Sequence, residues 1–169
     1  ALKDTAFVVL IYKSDAQIPE NAKSLIMKPL TPPDLCREYK KLSHLDALRI
    51  IAMTDGIPAL ADLFQLDLSF EENVQSIFAF GSLYLRYAEE NLRREFRSPE
   101  SYNTLLYGMA IGFNRISQLA EFSGYPKNKC DKYLKALDTA GYIEKEQKRD
   151  ETGTVRTHYY LKGGYLRVW

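Results

Sequence analysis

SGYPKNKCDKYLKALDTAGYIEKE, residues 123–146, is the stretch that decides how this chain folds. Pro126 stands where a helix can begin, because the first N–H groups of a helix have no partner inside it. Gly141 follows the last turn, where a left-handed residue is common. Between them the apolar residues recur at helical spacing: Cys130, Tyr133, Leu134 and Leu137. This spacing predicts a helix over residues 126–140 with one face turned inward.

Two helices precede this one and two strands follow it. The predicted helices cover residues 102–111 and 115–122, with Asn114 as the cap of the second. The predicted strands cover residues 143–148 and 155–161, and a charged turn that contains a glycine joins them. Three helices followed by a hairpin are the element order of a winged helix.

The outward face of the 126–140 helix is polar. In a helix-turn-helix protein the exposed ridge of this helix enters the major groove of DNA. The predicted base contacts are Asn128, Lys129, Lys132 and Lys135, and the predicted phosphate contacts are Lys148, Arg149 and Arg156. Residues 126–161 contain eight Lys or Arg against six Asp or Glu, so the positive excess is small. Because a winged helix can also dock proteins, duplex DNA and a protein partner both stay open.

The composition is that of an ordinary globular chain. Its 169 residues are 46% hydrophobic and carry a net charge of +1, enough for one large domain or two small ones. No apolar run approaches the ~20 residues that span a bilayer, so no membrane partner is expected. Cys36 and Cys130 are far apart and lie on apolar stripes, which predicts buried free thiols in a reducing, cytoplasmic compartment. His44 and His158 lack ligand-like neighbours, so no metal site is expected.

The N-terminal residues contain one continuous apolar run, residues 6–12. Such runs are typical of strands buried on both faces of a parallel sheet. A parallel sheet needs long crossover connections, so we expect the rest of this sheet to be missing and the chain to belong to a larger protein. The alternatives are a small sheet completed by a partner, or pairing of this strand with the hairpin.

The middle of the chain is predicted to be a helical bundle. A helix starts after Thr31, and another covers residues 45–54 with an inner face of Leu45, Leu48, Ile51 and Ala52. A capping box from Ser69 to Glu72 opens a long helix over residues 70–96. We therefore divide the chain into a strand remnant (1–30), a bundle (31–97) and a winged helix (98–169). The expected fold class is mainly α, with a small β component. The apolar end, residues 163–169, is expected to be exposed.

Hydrolytic chemistry is not evident in the sequence. There is no phosphate-binding loop of the Gly-x-x-x-x-Gly-Lys-Ser/Thr type. Nothing resembles a Ser/His/Asp or Cys/His constellation. The chain as it stands is not expected to hydrolyse a nucleotide.

The sequence resembles the archaeal-type ATPases of the STAND/AAA+ superfamily along nearly its whole length. The resemblance is carried by MKPLT (27–31), TDGIP (54–58), LSFEENV (68–74), LRREFR (92–97), MAIG (109–112), GYIEK (141–145) and YYL…LRVW (159–161, 166–169). Their order and spacing together are more specific than any one match. Asp55 is a departure, because the family has glycine there.

The resemblance implies that residues 31–97 form the helical lid over a nucleotide. It implies that the larger parent protein uses ATP and Mg²⁺, whereas the present chain alone is expected to bind no cofactor. It also implies lid contacts to phosphate, for which the candidates are Arg86, Arg93 and Arg94. The expected function is a nucleotide-coupled regulatory module that binds DNA, its own ATPase core or a protein partner. The alternatives are a stand-alone winged-helix transcriptional regulator and a protein-interaction adaptor.

Overall fold

Helices build most of the described chain, with one two-stranded antiparallel sheet near its end. The computed structural model describes residues 27–79, 81–149, 151 and 153–169, so the predicted strand at residues 6–12 lies outside it. The expected class, mainly α with a small β component, is confirmed. The elements are α1 (Pro32–Glu38), α2 (His44–Thr54), α3 (Pro58–Ala61), α4 (Phe70–Ile77), α5 (Leu83–Glu95), α6 (Pro99–Ala110), α7 (Ile116–Ser123), α8 (Lys127–Thr139), β1 (Ile143–Arg149), β2 (Val155–Leu161) and α9 (Tyr165–Val168).

The predicted long helix over residues 70–96 is wrong, because it is two helices. The capping box is present: Glu72 N–H donates to Ser69 Oγ over 3.2 Å, and Ser69 N–H donates to the Glu72 carboxylate over 2.8 Å. The helix that it opens nevertheless ends at Ile77. Gly81 then adopts a φ of +76°, which helical residues do not, and the Ser82 hydroxyl accepts a hydrogen bond from Leu85 N–H to start α5.

Helices α1 to α5, called the bundle here, enclose one hydrophobic cluster. The cluster includes Leu35, Ala47, Ile50, Leu60, Ala61, Phe64, Ile77, Tyr84 and Ala88. The predicted inner face of α2 is wrong, because Leu45 and Leu48 are 57% and 56% exposed. Helix α2 instead buries Ala47 and Ile50, since α1 and α3 pack on that side.

Helices α6 to α8 and the β1–β2 hairpin, called the C-terminal module here, enclose a second cluster. Three helices followed by an antiparallel hairpin is the order that the sequence predicts. The cluster includes Leu92, Leu105, Leu106, Leu119, Cys130, Leu134, Leu137, Ile143, Tyr159 and Leu161. The predicted cap Asn114 is wrong, because Arg115 occupies the cap position of α7. Asn114 instead joins α7 to β2: its carbonyl accepts from Tyr159 N–H over 2.8 Å, and its side chain lies 3.2 Å from His158 Nδ1.

The predicted exposed end of the chain is also wrong. Residues 163–169 contain α9, where Tyr165 is buried and Trp169 is half-buried. Leu166 and Trp169 contact both hydrophobic clusters. This segment therefore joins the C-terminal module to the bundle.

Both cysteines lie in the described part of the chain and are free thiols. Cys130 is buried, as predicted, whereas Cys36 is half-buried on the bundle. No helix in the described ranges is both long and apolar enough to cross a bilayer.

Candidate nucleic-acid interface

The geometry of α7 and α8 leaves one side of α8 open to solvent. Helix α7 ends at Ser123, Gly124 caps it in a left-handed conformation, and residues 124–126 make the turn into α8. Cys130, Leu134 and Leu137 point into the module and are fully buried. Because these three residues repeat every three or four positions, the opposite side of the helix faces away from the core.

The exposed ridge of α8 carries three of the four predicted base-contacting residues: Asn128, Lys132 and Lys135. The Asn128 Oδ1 atom accepts the Lys129 N–H over 2.8 Å, so the side-chain amide group keeps its donors. Lys135 forms an ion pair of 2.7 Å with Asp131 and stays 70% exposed. Lys132 forms no ion pair with any residue that the structure describes.

Lys129 lies on the flank of α8 rather than on the ridge. Its Nζ atom is 4.0 Å from the centre of the Tyr125 ring and 5.5 Å from that of Tyr133. Tyr133 in turn contacts Tyr102, with ring centres 4.7 Å apart. The cation–π contact therefore directs Lys129 toward an aromatic cluster, which no local pattern in the sequence indicates.

An ion pair links α8 to the hairpin. Lys145 on β1 reaches Asp138 on α8 over 2.6 Å, and this hydrogen bond raises the pKa of the Lys145 ammonium group. Burial raises the pKa of the nearby Tyr159 hydroxyl. The charge of Asp131 also raises this pKa, whereas that of Lys135 lowers it. Both aspartates of α8 are paired with a lysine, so they do not offset the charge of Lys132 on the ridge.

The hairpin register separates the three predicted phosphate contacts. Lys148 pairs directly with Arg156, which places both side chains on one face, while Arg149 pairs with Val155 on the other. Lys148 also donates to the Tyr160 hydroxyl over 2.9 Å and forms a 3.0 Å ion pair with Glu146. The hydrogen bond to Tyr160 raises the pKa of Lys148. The hairpin thus presents two separate basic positions rather than one cluster.

The candidate lid arginines lie on the solvent side of α5. Arg93 pairs with Glu89 and Arg94 with Glu90, both over 3.8 Å, and all three arginines are exposed. A groove of about 340 Å³ lies between the bundle and the C-terminal module, but none of the three lines it. Its walls are Asp55, Ile57, Tyr87, Ala88, Asn91, Glu95, Ala140, Gly141, Tyr142, Lys162, Tyr165 and Leu166. The predicted phosphate contact of these arginines therefore does not lie in this groove.

Metal ligands are not assembled in the part of the chain that the structure describes. No group of three or more His, Cys, Asp or Glu residues in these ranges could hold an ion. His158 is instead stacked beside Tyr160 at 6.4 Å between ring centres.

The sequence is similar to "Uncharacterized protein MJECL04" of Methanocaldococcus jannaschii. The two are 25% identical over 163 residues, which cover 95% of this chain and 36% of that protein. The chain therefore spans about a third of the length of the curated relative it matches. No family model matches the sequence, and no solved structure matches it.

Proposed function

We propose that this chain is the nucleotide-coupled regulatory part of a larger ATPase and that its C-terminal module binds duplex DNA through α8. The observation that carries the DNA-binding part is the exposed ridge of Asn128, Lys132 and Lys135. This ridge follows a tight turn after α7 and lies opposite a fully buried stripe. A helix held in this way presents hydrogen-bond donors and positive charge to a DNA groove without disturbing the core of the C-terminal module.

Charge on α8 supports the same proposal. The helix contains four lysines and two aspartates. The aspartates are occupied by Lys135 and Lys145 at 2.7 and 2.6 Å, respectively. Lys132 is thus available to contact DNA, and Lys135 can exchange its exposed partner for such a contact. Exposed ion pairs contribute little free energy, so such an exchange is feasible.

Reversing two charges on the ridge tests this interface. The full chain is titrated into fluorescent duplex DNA at several salt concentrations, and binding is followed by anisotropy. In the Lys132→Glu/Lys135→Glu variant we expect weaker binding to duplex DNA and a shallower salt dependence, because two positive charges on the ridge become negative.

The matched control is Lys40→Glu/Lys41→Glu, which makes the same charge change on an exposed loop of the bundle. This control should bind with the affinity of the unchanged chain. Equal losses in both variants would show that net charge rather than α8 governs binding. If the unchanged chain fails to bind duplex DNA even at low salt, the proposed interface is incorrect and a protein-docking role is favoured.

The nucleotide-coupled part of the proposal is supported by the way α5 serves both halves of the chain. Tyr84 and Ala88 belong to the bundle cluster, whereas Leu92 belongs to the cluster of the C-terminal module. A rigid helix shared in this way would transmit a movement of the bundle to α8. The limited coverage of the longer archaeal relative is compatible with a larger parent protein.

The reading frame upstream of Ala1 tests the nucleotide-coupled part. We expect it to encode a glycine-rich phosphate-binding loop ending in Lys-Ser or Lys-Thr. A start codon immediately before Ala1, with no such loop encoded ahead of it, would contradict coupling to ATP. The DNA-binding part would be unaffected by that result, because its test uses this chain alone.

A further inference from the structure

A row of aromatic rings borders the first turns of α8. Phe96 and Tyr102 stack with their ring centres 3.9 Å apart. The ring centre of Tyr133 lies 4.7 Å from that of Tyr102 and 6.1 Å from that of Tyr125. All four side chains are half-buried and pack against the hydrophobic cluster of the C-terminal module. The cluster therefore supports these rings from behind, while part of each ring stays open to solvent.

Tyr125, at the end of this row, has a fixed orientation. Its hydroxyl donates a hydrogen bond to Ser101 Oγ over 3.3 Å. The Lys129 ammonium group lies over its ring face, 4.0 Å from the ring centre, and Lys129 is exposed. A cation–π contact at an exposed site is weak, and it is weaker than the stacking of a nucleobase on an aromatic ring. A base can therefore take the place of this lysine on the ring of Tyr125.

The charge around these rings determines which ligands they suit. Lys127, Lys129 and Lys132 lie on the first half of α8, and all three are exposed. The acidic residue of this stretch, Asp131, is paired with Lys135 over 2.7 Å. A cationic ligand would be repelled by the three lysines. The rings are therefore suited to a planar group that carries negative charge.

A nucleotide combines a planar base with a negative phosphate group. Proteins that bind single strands stack the bases on aromatic side chains and hold the backbone with positive charge. Inside a duplex the faces of each base are covered by neighbouring bases, so an unpaired nucleotide is the form that can stack on Tyr125. Lys132, on the proposed duplex-binding ridge, directly precedes Tyr133 in the chain, so the two surfaces adjoin.

From these contacts we propose that Tyr125, Lys129 and Tyr133, called the tyrosine site here, bind an unpaired nucleotide of single-stranded DNA. The base stacks on the Tyr125 ring beside Tyr133, and the Lys129 ammonium group moves from the ring to the phosphate. The inference goes beyond the duplex interface and does not depend on it, because a single strand can occupy the tyrosine site while the ridge is empty.

The position of the base is tested by photocrosslinking. The full chain is mixed at low salt with a single-stranded oligomer of about ten thymidines, in which one thymine is replaced by 5-iodouracil. Near-ultraviolet light joins 5-iodouracil to an aromatic ring that stacks on it. Mass spectrometry of the digested product should place the crosslink on Tyr125 or Tyr133.

The contribution of stacking is tested with variants of Tyr125. Anisotropy of a fluorescent thymidine oligomer should show roughly fivefold or greater weakening in Tyr125→Leu, because leucine offers no ring face to the base. Tyr125→Phe keeps the ring and should restore binding, and it also serves if Tyr125→Leu does not fold. The matched control is Tyr107→Leu, which removes a ring that is 60% exposed on α6 and should leave binding unchanged.

Three results would each overturn the tyrosine site: no binding of the thymidine oligomer at low salt, a crosslink on other residues, or equal weakening by Tyr107→Leu and Tyr125→Leu. The site and the proposed duplex interface can fail separately. Binding of blunt duplex without binding of the oligomer would remove the tyrosine site alone. A crosslink on Tyr125 without binding of blunt duplex would support the tyrosine site and remove the duplex interface.

Discussion

Substitution of Leu134 by alanine is expected to lower the free energy of unfolding by about 2–5 kcal/mol. Leu134 is fully buried on α8, in the centre of the cluster that α6, α7 and the hairpin enclose. Removing its side chain loses apolar burial and leaves a cavity that rigid neighbours fill only in part. Urea unfolding of the full chain, followed by circular dichroism, measures the loss.

Leu48→Ala is the matched control for Leu134→Ala, since it makes the same chemical change on α2. Leu48 is 56% exposed, so we expect a change within about 0.5 kcal/mol. A loss from Leu48→Ala as large as that from Leu134→Ala would mean that α2 buries the face predicted from the sequence. The orientation of α2 described here would then be incorrect.

Substitution of Gly56 by alanine is expected to cost about 2–5 kcal/mol, from backbone strain and steric overlap together. Gly56 has a φ of +70°, and an added Cβ would overlap the carbonyl oxygen of Leu30. That backbone cannot easily move away, because Leu30 N–H donates to the Gly56 carbonyl over 2.8 Å. The same urea experiment measures the effect.

The control for Gly56 is Gly112→Ala. Gly112 also has a positive φ, of +106°, but nothing lies within 4 Å of the position of an added Cβ. We therefore expect strain alone, about 1–2 kcal/mol. Indistinguishable losses in the two variants would argue against the contact between Gly56 and Leu30.

The order of elements in the C-terminal module could be predicted because its boundaries are marked in the sequence. Pro126 and Gly141 delimit α8, and the buried residues between them follow helical spacing. A charged turn that contains a glycine separates the two hairpin strands. These signals are local, so they do not depend on what packs against the module.

The bundle is harder to predict from the sequence, because the boundaries and buried faces of its helices depend on contacts between distant residues. Apolar residues continue at helical spacing through residues 70–96, and this pattern predicts a single helix. Gly81 and Ser82 nevertheless break it into α4 and α5. Helix α2 is apolar on two sides. Its sequence therefore did not reveal that Ala47 and Ile50, rather than Leu45 and Leu48, face the core.

The candidate interface likewise combines features that local sequence predicts with features that depend on contacts between distant residues. The ridge of α8 follows from spacing, because the buried stripe determines which side is left exposed. The pairing of Arg156 with Lys148 rather than with Arg149 depends on strand register, which a charged turn does not define. The ring contacts of Lys129 and the docking of Tyr165 depend on the final packing, and no local pattern indicates them.

The division of α5 between two hydrophobic clusters affects how the C-terminal half can be isolated. A polypeptide that starts at residue 98 would lack Leu92, which is 1% exposed and completes the wall beside α6. Its cluster would open to water at that position. A piece intended for binding studies should therefore begin before Leu83 and carry α5 with it.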